Sequence, residues 1–229
     1  MNDGVGTAGV QTTSGNAITV IAGASDSVFL RGLNIDGDMM SGSSGIAFHT
    51  GASLTVTNCV IRHFLAQGIL LQPTSPTANF LIKDTITSDN GNAGIYLGGV
   101  HWSSTSVIRA LIDHVTSVNN QYGLYSFTLN DSAVPSLGLS NCNLGNNAQD
   151  GVSVIGGSYN VHSCQISFNG ANGVEASGQA FVTVSRSDIE LNLTDNLYNN
   201  DQGCNCFQTF GDNVYQSAGG QPLTLSNLR

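Results

Sequence analysis

Tyr96 and Tyr125 lie 29 residues apart, and with Glu175, His49, Gln72 and the single tryptophan, Trp102, they are the side chains best suited to hold a sugar. A tyrosine offers a ring that stacks and a hydroxyl that hydrogen-bonds, and an indole combines the same two properties. Each has a plainer role: two tyrosines on neighbouring strands pack on one another as a cross-strand pair, and Trp102, in the polar stretch 98–104, can serve as a hydrophobic lid. For a second chemistry, Asp36, Asp38 and Asp89, with Arg62 near them in the sequence, are the nearest candidates for a calcium site. Calcium takes about 6–8 oxygen ligands, and Asp36-Gly37-Asp38 reads more simply as a turn. The 26-residue step from Asp36 to Arg62 reads as a surface ion pair, of the kind that contributes about 0–1 kcal/mol. A third chemistry would use two carboxylates at working distance, drawn from Asp150, Glu175, Glu190 and Asp195, but nothing in the sequence marks a pair. No Gly-x-Ser-x-Gly turn supports a serine nucleophile. The five cysteines include no C-x-x-C pair, and Cys204-Asn205-Cys206 has no further ligands nearby, so no metal site is expected. Catalytic residues stay unassigned.

These residues sit within a repeat. A glycine followed by alternating apolar residues recurs at Gly45-Ile46, Gly68-Ile69, Gly94-Ile95, Gly123-Leu124, Gly151-Val152 and Gly173-Val174, in steps of 23, 26, 29, 28 and 22 residues. Asn196-Leu197 continues the series with Asn in place of Gly, and Asn16 to Val20 is an earlier member. Nine or ten residues before each glycine lies a second motif, a short strand, a polar turn and another short strand, with turn residues Asn58, Asp84, Asp113, Asn141, Ser163, Arg186 and Gly211. Period-2 runs broken by Asn and Gly exclude helix. Three short strands cannot close a core alone, but stacked coils can, each strand pairing with its counterpart about 4.8 Å away. The expectation is an all-β parallel β-helix of about seven or eight coils with three strands per coil. Its inward columns would run Ile46, Ile69, Ile95, Leu124, Val152, Val174, Leu197 and Leu33, Cys59, Thr85, His114, Cys142, Cys164, Ser187. His114 would then be a buried, hydrogen-bonded core histidine, and Cys142 and Cys164 stacked buried thiols.

The Asn-Cys-Val-Ile run at 58–61, Ser-Asn-Cys-Asn-Leu at 140–144, the Gly-Ile strands and Phe210-Gly211-Asp212-Asn213 together resemble the pectate-lyase-like right-handed β-helix superfamily, over roughly residues 16–225. The resemblance implies a right-handed solenoid with a ligand groove along the first strand of each coil. Alternation then turns Ala47, Leu70, Tyr96, Tyr125, Ser153, Glu175 and Tyr198 outward in one column, and His49, Gln72, Gly98, Phe127, Ile155, Ser177 and Asn200 in the next. It also implies a polysaccharide or oligosaccharide partner and a secreted or cell-surface, bacterial setting. Calcium enters only under a lyase reading, in which the resemblance implies Arg62 as the base beside Asp36, Asp38 and Asp89. The adjacent Asp residues, Gly-His-Gly and Arg-x-Lys of polygalacturonase-type hydrolases are missing. Members of the superfamily usually carry a longer N-terminal cap. Residues 1–15 are therefore expected to be a short polar segment left from a truncated cap, and residues 16–229 the solenoid.

Charge narrows the partners. Fifteen acidic against six basic residues give a net charge of −9, a poor match to nucleic acid or anionic membrane, both of which need clustered cations. No stretch reaches the ~18–20 apolar residues of a membrane span, and the N-terminus lacks a signal-peptide pattern. Three functions remain: a carbohydrate-binding β-helix without catalysis, a polysaccharide lyase or glycoside hydrolase, and a structural or adhesive surface module.

Overall fold

The computed structural model describes residues 8–39, 42–99, 106–128, 135–201 and 206–216. The chain winds as a right-handed parallel β-helix of about seven turns, with three strands per coil. Every third strand pairs, which gives three parallel sheets of nine, eight and eight strands. The first-strand sheet runs from Ile18–Ile21 through Ile46–Thr50, Ile69–Leu71, Ala93–Gly99, Tyr122–Thr128, Val152–Ile155 and Val174–Ser177 to Leu197–Asn199. The nine-stranded sheet starts at Ala8–Gln11, so the solenoid already includes part of the segment expected to precede it.

The expected inward column is in register: Ile46 pairs with Ile69, Ile69 with Ile95, Ile95 with Leu124, Leu124 with Val152, Val152 with Val174 and Val174 with Leu197. Ile46 through Val174 are at most 1% exposed. The core also holds an edge-to-face pair, Phe48 and Phe80, with centroids 5.0 Å apart.

The repeat glycines are required by close approach rather than by backbone angle, since none of the six has a positive φ. A Cβ at Gly45 would lie 2.6 Å from Gly68 O, and one at Gly68 2.7 Å from Gly94 O. At Gly123 it would meet Gly151 O at 2.5 Å, and at Gly173 Asn196 O at 2.6 Å.

The other turn does need left-handed backbone, and Asn58, Asp84, Asn141, Ser163 and Arg186 all have φ between 49° and 54°. One expectation is corrected here. The left-handed residue of the longest coil is His114, at φ 52°, not Asp113. His114 therefore points outward with 56% of its side chain exposed, and Val115 takes its place in the inward column at 2% exposure. Asp113 and His114 are both turn-compatible types, so composition could not decide a one-residue slip, which exchanges inward and outward positions at the turn and the short strand after it. Near the end the offset between coils grows by one residue, from the pairing of Val184 with Thr209 to that of Asp188 with Val214, so the turn containing Gly211 takes up one extra residue.

Cys142 and Cys164 are buried free thiols on neighbouring coils. A third turn carries a feature that the sequence reading missed, a buried ladder of Asn90, Asn120, Asn147, Asn169 and Asn192. Each of the first four donates its backbone N–H to the side-chain oxygen of the next, at 3.0–3.1 Å.

Candidate functional site

The outward column of the first-strand sheet is where the sequence placed it: Leu70 pairs with Tyr96, Tyr96 with Tyr125, Tyr125 with Ser153, Ser153 with Glu175 and Glu175 with Tyr198. Tyr96 and Tyr125 pack on one another at 5.5 Å with ring planes tilted by 41°, so the cross-strand role is realised. Both remain part-exposed. Two more rings extend the platform: Tyr122 lies 5.1 Å from Tyr125, and Phe127 stacks on Tyr125 at 6.5 Å with 8° between planes. Burial pushes the phenol pKa values of Tyr96, Tyr122 and Tyr125 upward, which keeps their hydroxyls as donors. Tyr122 Oη donates to Gln149 Oε1. Gly98 sits under the ring of Tyr96, and a Cβ there would come within 2.5 Å of Tyr96 Cε1.

A polar end follows the aromatic one. Asp150, directly before the repeat glycine, is 3% exposed and hydrogen-bonds side chain to side chain with Glu175 on the next coil. Asp150 Oδ1 also accepts from the Asn172 backbone N–H at 2.8 Å. Glu175 Oε1 accepts from Asn200 Nδ2 at 3.0 Å, and its Oε2 lies 3.5 Å from Asn172 Nδ2. Burial pushes the Asp150 carboxyl up to about 6, the Asn172 N–H opposes it, and the Glu175 charge adds to it. The Asp150 carboxyl therefore holds its proton above the ordinary carboxylate range. Ser153, buried and short, stands between Tyr125 and Glu175 in the column.

The six residues singled out from the sequence do not form one cluster. Tyr96, Tyr125 and Glu175 share the site. His49 and Gln72 are part-buried on the same sheet toward its start; His49 and Glu175 are five coils apart in the strand order, about 24 Å at ~4.8 Å per coil. Trp102 lies outside the described residues. Tyr122, Asp150 and Asn172 were not foreseen as a group. The signal available was positional: Tyr122, Asp150 and Asn172 fall in the slot directly before successive repeat glycines.

The Asp36–Arg62 ion pair forms as expected, at 3.1 Å, with His63 Nδ1 3.1 Å from the other carboxylate oxygen. It belongs to the nine-stranded sheet, away from the tyrosines. Asp38 has φ 55°, in keeping with a turn. Among the described residues, no group of three His, Cys, Asp or Glu side chains could hold a metal ion, and no helix is long and apolar enough to cross a membrane.

The family model described as right handed beta helix region matches residues 8–122. No curated protein and no solved structure matches the chain.

Proposed function

We propose that this chain, which belongs to the right-handed beta helix family, is a carbohydrate-associated protein of the pectate-lyase-like superfamily that binds a polysaccharide or oligosaccharide along its first-strand sheet, outside the cytoplasm. The observation that carries the reading is the part-exposed platform of Tyr96, Tyr122, Tyr125 and Phe127, set on a parallel sheet and followed in the same columns by Glu175, Tyr198 and Asn200. Aromatic rings whose spacing is set by strand pairing need little ordering to meet a sugar face, which limits the entropic cost of binding. Glu175 and Asn200 supply the directional hydrogen bonds.

Binding without hydrolysis fits the carboxylates better than catalysis does. Asp150 and Glu175 are in direct hydrogen-bonding contact, closer than the ~5–5.5 Å of retaining or ~6.5–9.5 Å of inverting glycosidases. The lyase reading loses its base, because the Arg62 guanidinium is engaged by Asp36. A glycan array with the wild type, Tyr96→Ala and Tyr125→Ala tests the proposal. Binding to at least one glycan class, weakened tenfold or more in both variants, is the expected result. No binding to any glycan, or binding indifferent to both substitutions, overturns it.

A further inference from the structure

We infer that Asp150, Glu175 and Asn172 form a seat for a protonated amine, so that the glycan held on this face carries amino sugars; the inference rests on the carbohydrate-binding reading and specifies its ligand.

Three observations converge on it. The first is an uncompensated acid pair. Asp150 and Glu175 hydrogen-bond to each other, and among the described residues none of the ion pairs involves either one. Two carboxylates in contact repel when both are ionised, and a proton held by Asp150 up to about 6, or above that a bound cation, relieves the repulsion. The second is an orphan acceptor. Asn172 is 6% exposed, its N–H and Nδ2 face Asp150 and Glu175, and its Oδ1 accepts no hydrogen bond. A buried polar atom left unpaired costs about 1–3 kcal/mol, which a ligand donor would recover. A primary ammonium brings three N–H donors and no acceptor, and Asp150, Glu175 and Asn172 each offer an oxygen. The third is the aromatic surround. The charges of Asp150 and Glu175 act on the Tyr122 phenol, and that of Glu175 on Tyr125, which places both rings beside the pair. Tyrosine faces stabilise an organic cation, and a bare metal ion gains nothing comparable from them. The net charge of −9 favours the same class of ligand over a polyuronate.

Below about pH 6 the ammonium takes the place of the Asp150 proton, which leaves to solvent, and above it the cation meets an Asp150 carboxylate that is already ionised. The titratable groups that face Asp150 are Tyr122 from the preceding coil and Glu175 from the following one, with Tyr125 beside them and Asp195 on the coil beyond Asn172. The phenols stay neutral in the range concerned. Affinity for the amine therefore rises as pH increases through about 6 and falls again once the amine itself loses its proton, near pH ~8.

Isothermal titration with three oligosaccharides of equal length tests this: β-1,4-glucosamine, its N-acetylated form and the neutral β-1,4-glucose chain, each at pH 5 and pH 7. The expected result is a preference for the amine of tenfold or more at pH 7, much reduced at pH 5. Titration in buffers of different ionisation enthalpy should show release of close to one proton at pH 5 and of little at pH 7, on either side of the Asp150 value of about 6. Glu175→Gln and Asp150→Asn should bring the ratio of amine to N-acetyl affinity close to one. Should the buried Asp150→Asn fail to fold, the part-exposed Glu175→Gln carries the test. Equal affinity for all three sugars keeps the carbohydrate reading and overturns the amine seat. Calcium alone displacing the proton, with no amine preference, overturns it in favour of a hard-cation site. No binding of any of the three sinks both.

Discussion

Replacing Asn147 with alanine should destabilise the solenoid by about 2–4 kcal/mol, a large effect for a residue that touches no ligand. The magnitude follows from its bonds. Asn147 Oδ1 accepts from the Asn120 N–H at 3.0 Å and from Asn120 Nδ2 at 3.4 Å, while Nδ2 donates to Ser117 O at 3.2 Å and to Asn169 Oδ1 at 3.0 Å. Alanine keeps the backbone bond from Asn147 N–H to Asn169 Oδ1 but strips the buried Asn120 N–H of its acceptor and Ser117 O of one donor. Each buried group left unsatisfied costs about 1–3 kcal/mol, and the upper sum is trimmed because Ser117 O has a second lone pair. Asn143→Ala, an exposed position two residues into the same coil, is the control and should change stability by no more than about 0.5 kcal/mol. Urea unfolding of both variants gives the difference, and native-state hydrogen exchange locates it: the Asn120 amide should lose protection first. If Asn147→Ala falls within the range of the control, the ladder is not a stabilising element and the reasoning fails.

Gly151→Ala should be destabilising by about 1–3 kcal/mol through overpacking, because its Cβ would meet Ile166 Cγ2 at 2.4 Å and Gly173 O at 2.9 Å; a melting temperature equal to that of wild type would refute the close-approach account of the repeat. Asp113 accepts from Asn141 Nδ2 at 3.0 Å, with His114 Nδ1 at 2.9 Å and Lys83 Nζ at 3.1 Å, and these contacts, Asn141 first, hold its carboxyl down at about 2. Its contribution to stability is complete above the ordinary carboxylate range and lost as pH falls through that range toward about 2. Asp113→Asn should flatten acid unfolding in that window, and an unchanged profile would exclude the network as its source.

The fold was legible because its main signal is periodic. Six glycines at steps of 22–29 residues, each opening an alternating apolar run, leave few architectures other than stacked coils. The aromatic column followed by counting along those runs. Counting failed where two adjacent residues suited one turn, as with Asp113 and His114. The asparagine ladder was missed for a different reason. The chain has 24 asparagines, and those of the ladder are marked by position alone, each three or four residues before a repeat glycine or Asn196. The Asp150–Glu175 pair was obscured by offset: the two sit at different slots of neighbouring coils, 25 residues apart, so neither column contains both.

Among the described residues each strand pairs with its counterparts in the coil before and the coil after, so successive coils offer similar upper and lower edges. The chain can therefore change length by whole turns. Excising residues 151–172 would join Asp150 to Gly173 and bring Leu124 against Val174, Leu139 against Val184 and Asn147 against Asn192, pairings between residues that already occupy equivalent slots. Duplication or loss of such a segment would slide Glu175 nearer to Tyr125 or further from it in steps of about 4.8 Å. The distance between the rings and the carboxylates is thus adjustable in discrete increments, a route by which descendants of one solenoid could come to hold ligands of different length without redesigning a core.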